Sequence, residues 1–347
     1  MNKFKVSIMI PTYNRSNYLS DAIESALAQN YENLEVIVSD NASSDNTQEL
    51  VRKYILDKRF IYKRNENNIG LFSNWARLLY EYATGEYGIF LPDDDYFVNK
   101  RHVSEAVELI NKYNVNYIFT DGIFDDQVRG ICKKTNYDIP EYLTVDWALV
   151  NIGKRFKENI VFSPGLNSVF NIKRAKELKV LYPQICGADG EMGLRFMFDG
   201  PSVYMKNPQR YARGHSGSSG NTDQVDNTLN GLEIYNRMLE FGLGRKYDYN
   251  KLIAFKRRNI IIWIDGIVLA PWFNTFGASY LKFCKYIYEK RKYYKLDIIN
   301  LFMITLSKQI IGRFLFQKNK TVYKYLRNIY WIVKYKKRYP KEFEDKR

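Results

Sequence analysis

Ile89-Phe90-Leu91-Pro92-Asp93-Asp94-Asp95-Tyr96-Phe97 decides how the rest of the chain is read. An apolar run of strand type stops abruptly in three consecutive carboxylates. Three like charges at one strand end repel one another and resist burial, so they call for a positive partner. A hard divalent cation, Mg2+ or Mn2+, suits them, because it takes carboxylate oxygens and keeps positions open for substrate phosphates. A solvated acidic turn between a strand and a helix is the plainer account. The sequence on either side argues against it.

Upstream, Val6-Ser7-Ile8-Met9-Ile10 reads as a buried strand that Pro11 stops. A loop follows, with Ser16 as the expected N-cap of a helix whose apolar positions are Leu19, Ala22, Ile23, Ala26 and Leu27. Leu34–Val38 is a second strand, ending in the polar loop Ser39-Asp40-Asn41-Ala42-Ser43-Ser44-Asp45. A helix near Thr47–Ile55, a short strand at Phe60–Tyr62, a helix over Leu71–Ala83 and a strand at Tyr87–Leu91 complete the pattern. Such alternation predicts an α/β fold, a mostly parallel central sheet with helices on both faces. Ligands of such sheets bind beyond the carboxyl ends of the strands. Pro11–Tyr13, Asp40–Asn41 and Asp93–Asp95 all fall at those ends, so three polar loops converge on one crevice. Neither G-x-x-x-x-G-K-[ST] nor a G-x-G-x-x-G after the first strand is present, so a diphosphate bound there would be held by metal and not by a glycine cradle. Gly214-His215-Ser216-Gly217-Ser218 misses the serine-hydrolase elbow at its fifth position.

Several of these segments together resemble glycosyltransferase family 2. They are Val6 to Arg15, Val38-Ser39-Asp40-Asn41, Asn68-Ile69-Gly70 with Asn74, Ala83-Thr84-Gly85-Glu86-Tyr87 and the acidic triplet. The resemblance covers residues 5 to about 220. It implies a GT-A fold, a nucleotide-diphospho-sugar donor, expected to be UDP-linked, and inverting chemistry. By position, Pro11, Thr12 and Tyr13 would line the base and ribose, Asp40 would accept the imide N–H of a uracil, and Asn68 would stand with them. Many members read F-L-D-x-D-D, whereas Pro92 follows Phe90-Leu91 here. Anchoring on Phe90-Leu91 makes Asp94 the metal ligand, with Asp93 and Asp95 assisting it or holding the ribose. Anchoring on D-x-D alone favours Asp93 and Asp95, and the sequence leaves both open. Gly187-Ala188-Asp189-Gly190-Glu191 resembles the family's E-D-x-[DE] helix start, which makes Asp189 the general base, although a helix cap would serve the same residue type. Arg210-Tyr211-Ala212-Arg213-Gly214-His215 resembles the segment that closes over the diphosphate, giving Arg213 and His215 donor roles. The Q-x-x-R-W signature of processive members is absent, so one sugar per event is expected.

The charge is unevenly spread. Of 53 Lys and Arg, 25 lie in residues 240–347 against 8 Asp and Glu, and that stretch also holds 24 of the 55 aromatic residues. A catalytic domain over residues 1–221 and a basic, aromatic helical region over 222–347 are therefore expected. Lys and Arg beside Trp263, Trp272, Trp331 and many tyrosines fit an anionic membrane surface. The combination predicts a cytoplasmic enzyme held at the inner face of a cell membrane, acting on a glycan or lipid-linked glycan in bacterial surface polysaccharide assembly. The rival is a nucleic-acid-binding protein using the same basic region on a degenerate nucleotide fold. No nucleic-acid fold signature accompanies the basicity, so no nucleic acid is expected. Three scattered cysteines and two histidines give neither a disulfide framework nor a zinc cluster, and no apolar window is long enough to span a bilayer.

Overall fold

The structure, a computed structural model, describes residues 3–127, 130–154, 168–182, 188–215 and 232–268. In chain order these form β1 (Val6–Thr12), α1 (Ser16–Leu27), β2 (Leu34–Asp40), α2 (Thr47–Val51), β3 (Phe60–Arg64), α3 (Leu71–Arg77) and β4 (Tyr87–Phe90). Then come β5 (Tyr96–Phe97), α4 (His102–Tyr113), β6 (Tyr117–Asp126), β7 (Ile131–Lys134), β8 (Tyr142–Leu143) and α5 (Val145–Asn151). The rest are β9 (Ser168–Asn171), α6 (Ile172–Glu177), α7 (Ala188–Asp199), β10 (Ser202–Gly214), α8 (Ile234–Gly244) and α9 (Tyr249–Val268). Residues Met1–Ile262 make one compact unit and Trp263–Arg347 a second. The helical stretches expected after residue 268, with Trp272 and Trp331, lie outside the described residues. Among the described residues no helix is long and apolar enough to cross a membrane.

Strand alternation explains why both faces of the sheet are covered. Val6, Ile8 and Ile10 of β1 enter one core with Val36 and Val38 of β2, and α1 and α4 close it through Leu19, Ile23, Val103 and Ile110. The intervening residues face the other way. There Phe90 of β4 stacks between Trp75 of α3 at 4.8 Å and Phe170 of β9 at 5.6 Å. Gly88 lets this face pack closely, because a Cβ would stand 2.8 Å from Met9 Cε and 3.1 Å from the Phe170 ring and would push those side chains aside.

The sheet runs β3-β2-β1-β4-β9-β6-β10-β5. As expected, β3, β2, β1 and β4 are parallel, and so are β6 and β10. β9 enters antiparallel between β4 and β6. Thr12 pairs with Asp40 and Met9 with Phe90. The ends of β1, β2 and β4 therefore lie side by side, which brings the three polar loops together.

Beyond Tyr117, β6 continues to Asp126 and pairs with β7, and β8 and α5 follow. One expectation needs correction. Ser16 does not cap α1 with its side chain; Arg15 occupies the N-cap position, and Ser16 N–H donates at 2.9 Å to Asp45 of the next loop. A carboxylate arriving from a neighbouring loop satisfies a helix donor as well as a local hydroxyl does, and adds charge at the positive helix end.

His102 opens α4 beneath the site and is fully enclosed, with its ring 5.1 Å from that of Phe97. Burial pushes its pKa down to about 4, against a weaker opposing hydrogen bond with Gln209. Between that value and the usual 6.5 or so, the unfolded chain binds a proton that the folded chain refuses. Stability then falls with pH by up to roughly 1.4 kcal/mol per unit. The stability difference between wild type and His102→Gln, followed by urea unfolding, should move against wild type as pH drops from 6.5 to 4. A difference that stays flat over that window would contradict the buried neutral imidazole.

Candidate active site

β4 delivers Asp93, Asp94 and Asp95 into the interior, with relative exposures of 4%, 7% and 4%. Such burial is tolerable only with cations at hand, and the chain supplies them from two directions. Arg15, from the loop after β1, places Nη1 at 3.1 Å from Asp93 Oδ1 and 2.6 Å from Asp94 Oδ2. β10 supplies the others. Arg213 N–H donates to Asp95 Oδ1 at 3.0 Å, and Arg210 Nε stands 3.4 Å from Asp95 Oδ2. His215 Nε2 meets Asp94 Oδ2 at 3.1 Å. Even so, burial pushes Asp93 up to about 7 against the pull of Arg15, and Asp95 up to about 6 against that of Arg210. The neighbouring Asp94 carboxylate adds to both.

The end of β10 is latched over the triplet by packing as well as charge. The Arg213 guanidinium lies over the Tyr96 and Tyr18 rings at 4.8 and 5.6 Å and donates to Asp21 of α1 at 2.6 Å. Tyr18 in turn stacks on His215 at 4.7 Å. Arg213, His215 and the triplet, read separately from sequence, thus form one cluster.

At the ends of β1 and β2, Pro11 and Thr12 are buried and Tyr13 is 44% exposed. Asp40 is fully buried. Its Oδ2 accepts from Tyr62 Oη at 2.6 Å and from Arg64, and its Oδ1 from Ser43 N–H at 2.8 Å. Asn68 reaches this ledge through Asn41, whose Nδ2 donates to Asn68 Oδ1 at 2.8 Å. Behind them runs a buried amide network. Ser39 Oγ donates to Asn74 Oδ1 and Asn74 Nδ2 to Ser39 O, while Asn65 Nδ2 donates to both Asn74 and Asn41.

Asp189 sits in the first turn of α7. Burial pushes its carboxyl up, opposed by backbone N–H groups and by the charge of Arg210. Arg210 is therefore the group common to the triplet and Asp189, and its Nε and Nη1 are buried without a hydrogen bond among the described residues. Glu191 is engaged elsewhere: Arg195 and Arg237 of α8 hold its two oxygens at 2.5–3.1 Å, clamping α7 to α8.

Sequence reading missed Arg15, Arg210, Tyr62, Arg64 and Asn65. The signal for Arg15 was present, since buried acids at a strand end demand counter-charges and the adjoining strand-end loop carries an arginine. Arg210 had no such mark.

The donor set fits a divalent cation. Two ligands at about 2.1 Å in adjacent octahedral positions stand about 3 Å apart, and Asp94 Oδ2 and His215 Nε2 are separated by 3.1 Å. Among the described residues no group of three or more His, Cys, Asp or Glu is arranged to hold a metal, so further positions would fall to substrate oxygens and water.

Residues 7–169 match the model of "Glycosyl transferase family 2". Over 163 residues the chain is 35% identical to the Escherichia coli UDP-Glc:alpha-D-GlcNAc-diphosphoundecaprenol beta-1,3-glucosyltransferase WfaP, covering 45% of this chain and 64% of that protein. It is 40% identical over 110 residues to an uncharacterized glycosyltransferase of Rickettsia conorii, covering 31% of this chain and 17% of that one. The chain thus spans between about a sixth and two thirds of the length of these relatives. Residues 1–349 of S. aureus TarS in complex with UDP-GlcNAc share the fold, with a TM-score of 0.62 and 17% identity over 76% of this chain and 80% of that one.

The amide network yields a prediction. Asn74→Ala strands the buried Asn65 donor and the Ser39 hydroxyl, each worth about 1–3 kcal/mol when left unpaired. Urea unfolding should show a loss in that range; an unchanged midpoint would contradict the network's role.

Proposed function

On the premise that residues 7–169 are a glycosyltransferase family 2 domain, we propose that the chain moves one sugar from a UDP-linked donor to a hydroxyl of a lipid-linked glycan, with inversion at the anomeric carbon, in bacterial surface polysaccharide assembly. The observation that carries this reading is the Asp94–His215 pair at 3.1 Å, flanked by Arg15 and Arg213 at the carboxyl ends of the parallel strands. Carboxylate, imidazole and guanidinium groups converging there suit a diphosphate bridged by a divalent cation. The E. coli relative, whose name specifies UDP-Glc and a diphosphoundecaprenol-linked acceptor, supports the choice of donor and acceptor class.

In this mechanism the exposed Tyr13 ring stacks on the base. Tyr62, Arg64 and Ser43 N–H hold the Asp40 carboxylate, leaving acceptor capacity for a uracil imide N–H. Asp94 and His215 would hold Mn2+ or Mg2+, which when bound would supply positive charge against the departing nucleoside diphosphate. Asp95 ties β10 in place and Asp93 lies toward the ribose side. Asp189 accepts the proton of the attacking hydroxyl, and its raised carboxyl makes it a stronger base than an exposed aspartate. Glu191 is unsuited to that task because both oxygens are committed to arginines. The cation surplus of residues 240–347 supports attachment to the anionic inner face of a membrane.

Three outcomes follow. UDP with Mn2+ should raise the melting temperature, and UDP with chelator far less. Asp94→Ala should abolish the metal-dependent part of that shift, whereas Asp189→Asn should retain it and lower turnover of UDP-sugar by roughly 10²–10⁴-fold. Full activity in Asp189→Asn would remove it as the base. The full chain should co-sediment with anionic vesicles and release with salt; equal recovery on neutral vesicles would contradict a charge-driven attachment.

A further inference from the structure

We propose that Arg15 stands in for the divalent cation in the ligand-free protein, and that it cedes Asp94 to the metal only when a nucleoside diphosphate is there to take its guanidinium. The proposal rests on the metal reading given above. It makes Arg15 the residue that couples nucleotide binding to metal binding.

The geometry centres on one atom. Asp94 Oδ2 accepts from Arg15 Nη1 at 2.6 Å and meets His215 Nε2 at 3.1 Å. A carboxylate oxygen offers about two lone-pair sites, and both are occupied. A cation set between Asp94 and His215 takes the lone pair now turned to His215 and leaves the Arg15 guanidinium on the same oxygen, within repulsive range of a dication. The same Nη1 also reaches Asp93 Oδ1 at 3.1 Å, so Arg15 bridges two buried carboxylates much as a small cation would. Its side chain is 24% exposed and springs from a loop, outside the sheet, so it has somewhere to go.

Displacement has opposite consequences with and without nucleotide. Metal alone leaves a partly buried guanidinium beside a dication, with Asp93 still within reach. Like charges at that range repel strongly where water is scarce. A diphosphate in the crevice reverses this, because its oxygens accept two parallel N–H donors from a guanidinium. Nucleotide then lowers the cost of evicting Arg15, and by reciprocity metal strengthens nucleotide binding. Direct contact between metal and phosphate adds to this coupling but does not need Arg15. The signature of Arg15 is therefore found in metal binding without nucleotide.

The test measures Mn2+ binding to the full chain by electron paramagnetic resonance of the free ion, with and without saturating UDP. Wild type should bind Mn2+ weakly alone and 5–150-fold more tightly with UDP, the usual span of coupling between sites. Arg15→Gln removes the competitor, so it should bind Mn2+ alone about 10-fold more tightly than wild type and gain less from UDP. Arg15→Lys retains the charge on a single donor group and should fall between them, which also keeps the test alive if the glutamine variant folds poorly. Wild type that takes Mn2+ with UDP, beside variants whose affinity for Mn2+ alone is unchanged or weaker, overturns the role of Arg15 and leaves the metal reading standing. Wild type that takes no Mn2+ even with UDP overturns both.

Discussion

Three adjacent carboxylates buried at the end of β4 set the terms for everything around them. Two like charges 4 Å apart at an effective dielectric of 20 repel by roughly 4 kcal/mol, so a triplet of them cannot be housed without counter-charges. The chain answers with Arg15 from one loop and with Arg210, Arg213 and His215 from a strand more than a hundred residues later. Because those partners arrive on β10, the acids bind the far edge of the sheet to its parallel half. Burial still drives Asp93 and Asp95 upward.

Around this centre the supporting contacts divide by task. Glu35 fixes the opposite end of the sheet. Burial alone would push its carboxyl up, but hydrogen bonds from Lys5, Ser7 and Thr84 hold it below the usual carboxylate range. The Asn41–Asn65–Asn74 network shapes the loop that carries Asn68. The Glu191 clamp with Arg195 and Arg237 secures the helix that begins beside Asp189. In each case polar groups taken out of water are satisfied by one another, which is what makes buried networks rigid.

The parallel half of the fold was legible because its signals are local. Val6–Ile10, Leu34–Val38 and Tyr87–Leu91 are apolar runs that end in polar loops, and α1 carries its apolar residues at helical spacing. The convergence of the three loops followed from strand direction alone. The hairpin of β6 and β7 was not legible, since Lys133, Lys134 and Asp125 are polar residues whose pairing depends on a sheet edge formed elsewhere. The same holds for the site. Asp94 announces itself as one of three acids, but Arg15 looks like any loop arginine until the loop is folded. Arg210 acquires meaning only from the register of β10 on β6. Pair partners distant in sequence leave no periodic trace.

The distance along the chain between Asp95 and its partner Arg213 is 118 residues. On a ribosome adding 5–20 residues per second, roughly 6–24 s separate the emergence of the acids from that of the strand that caps them. During that interval β1, β2, β3 and β4 have all left the tunnel, and Arg15 is the earliest cation available to the triplet. The parallel half is thus made before the strand that closes over it. A nascent chain holds its most repulsive segment in an open sheet edge until β10 emerges. For this molecule the order of manufacture is also the order in which its charges come to rest.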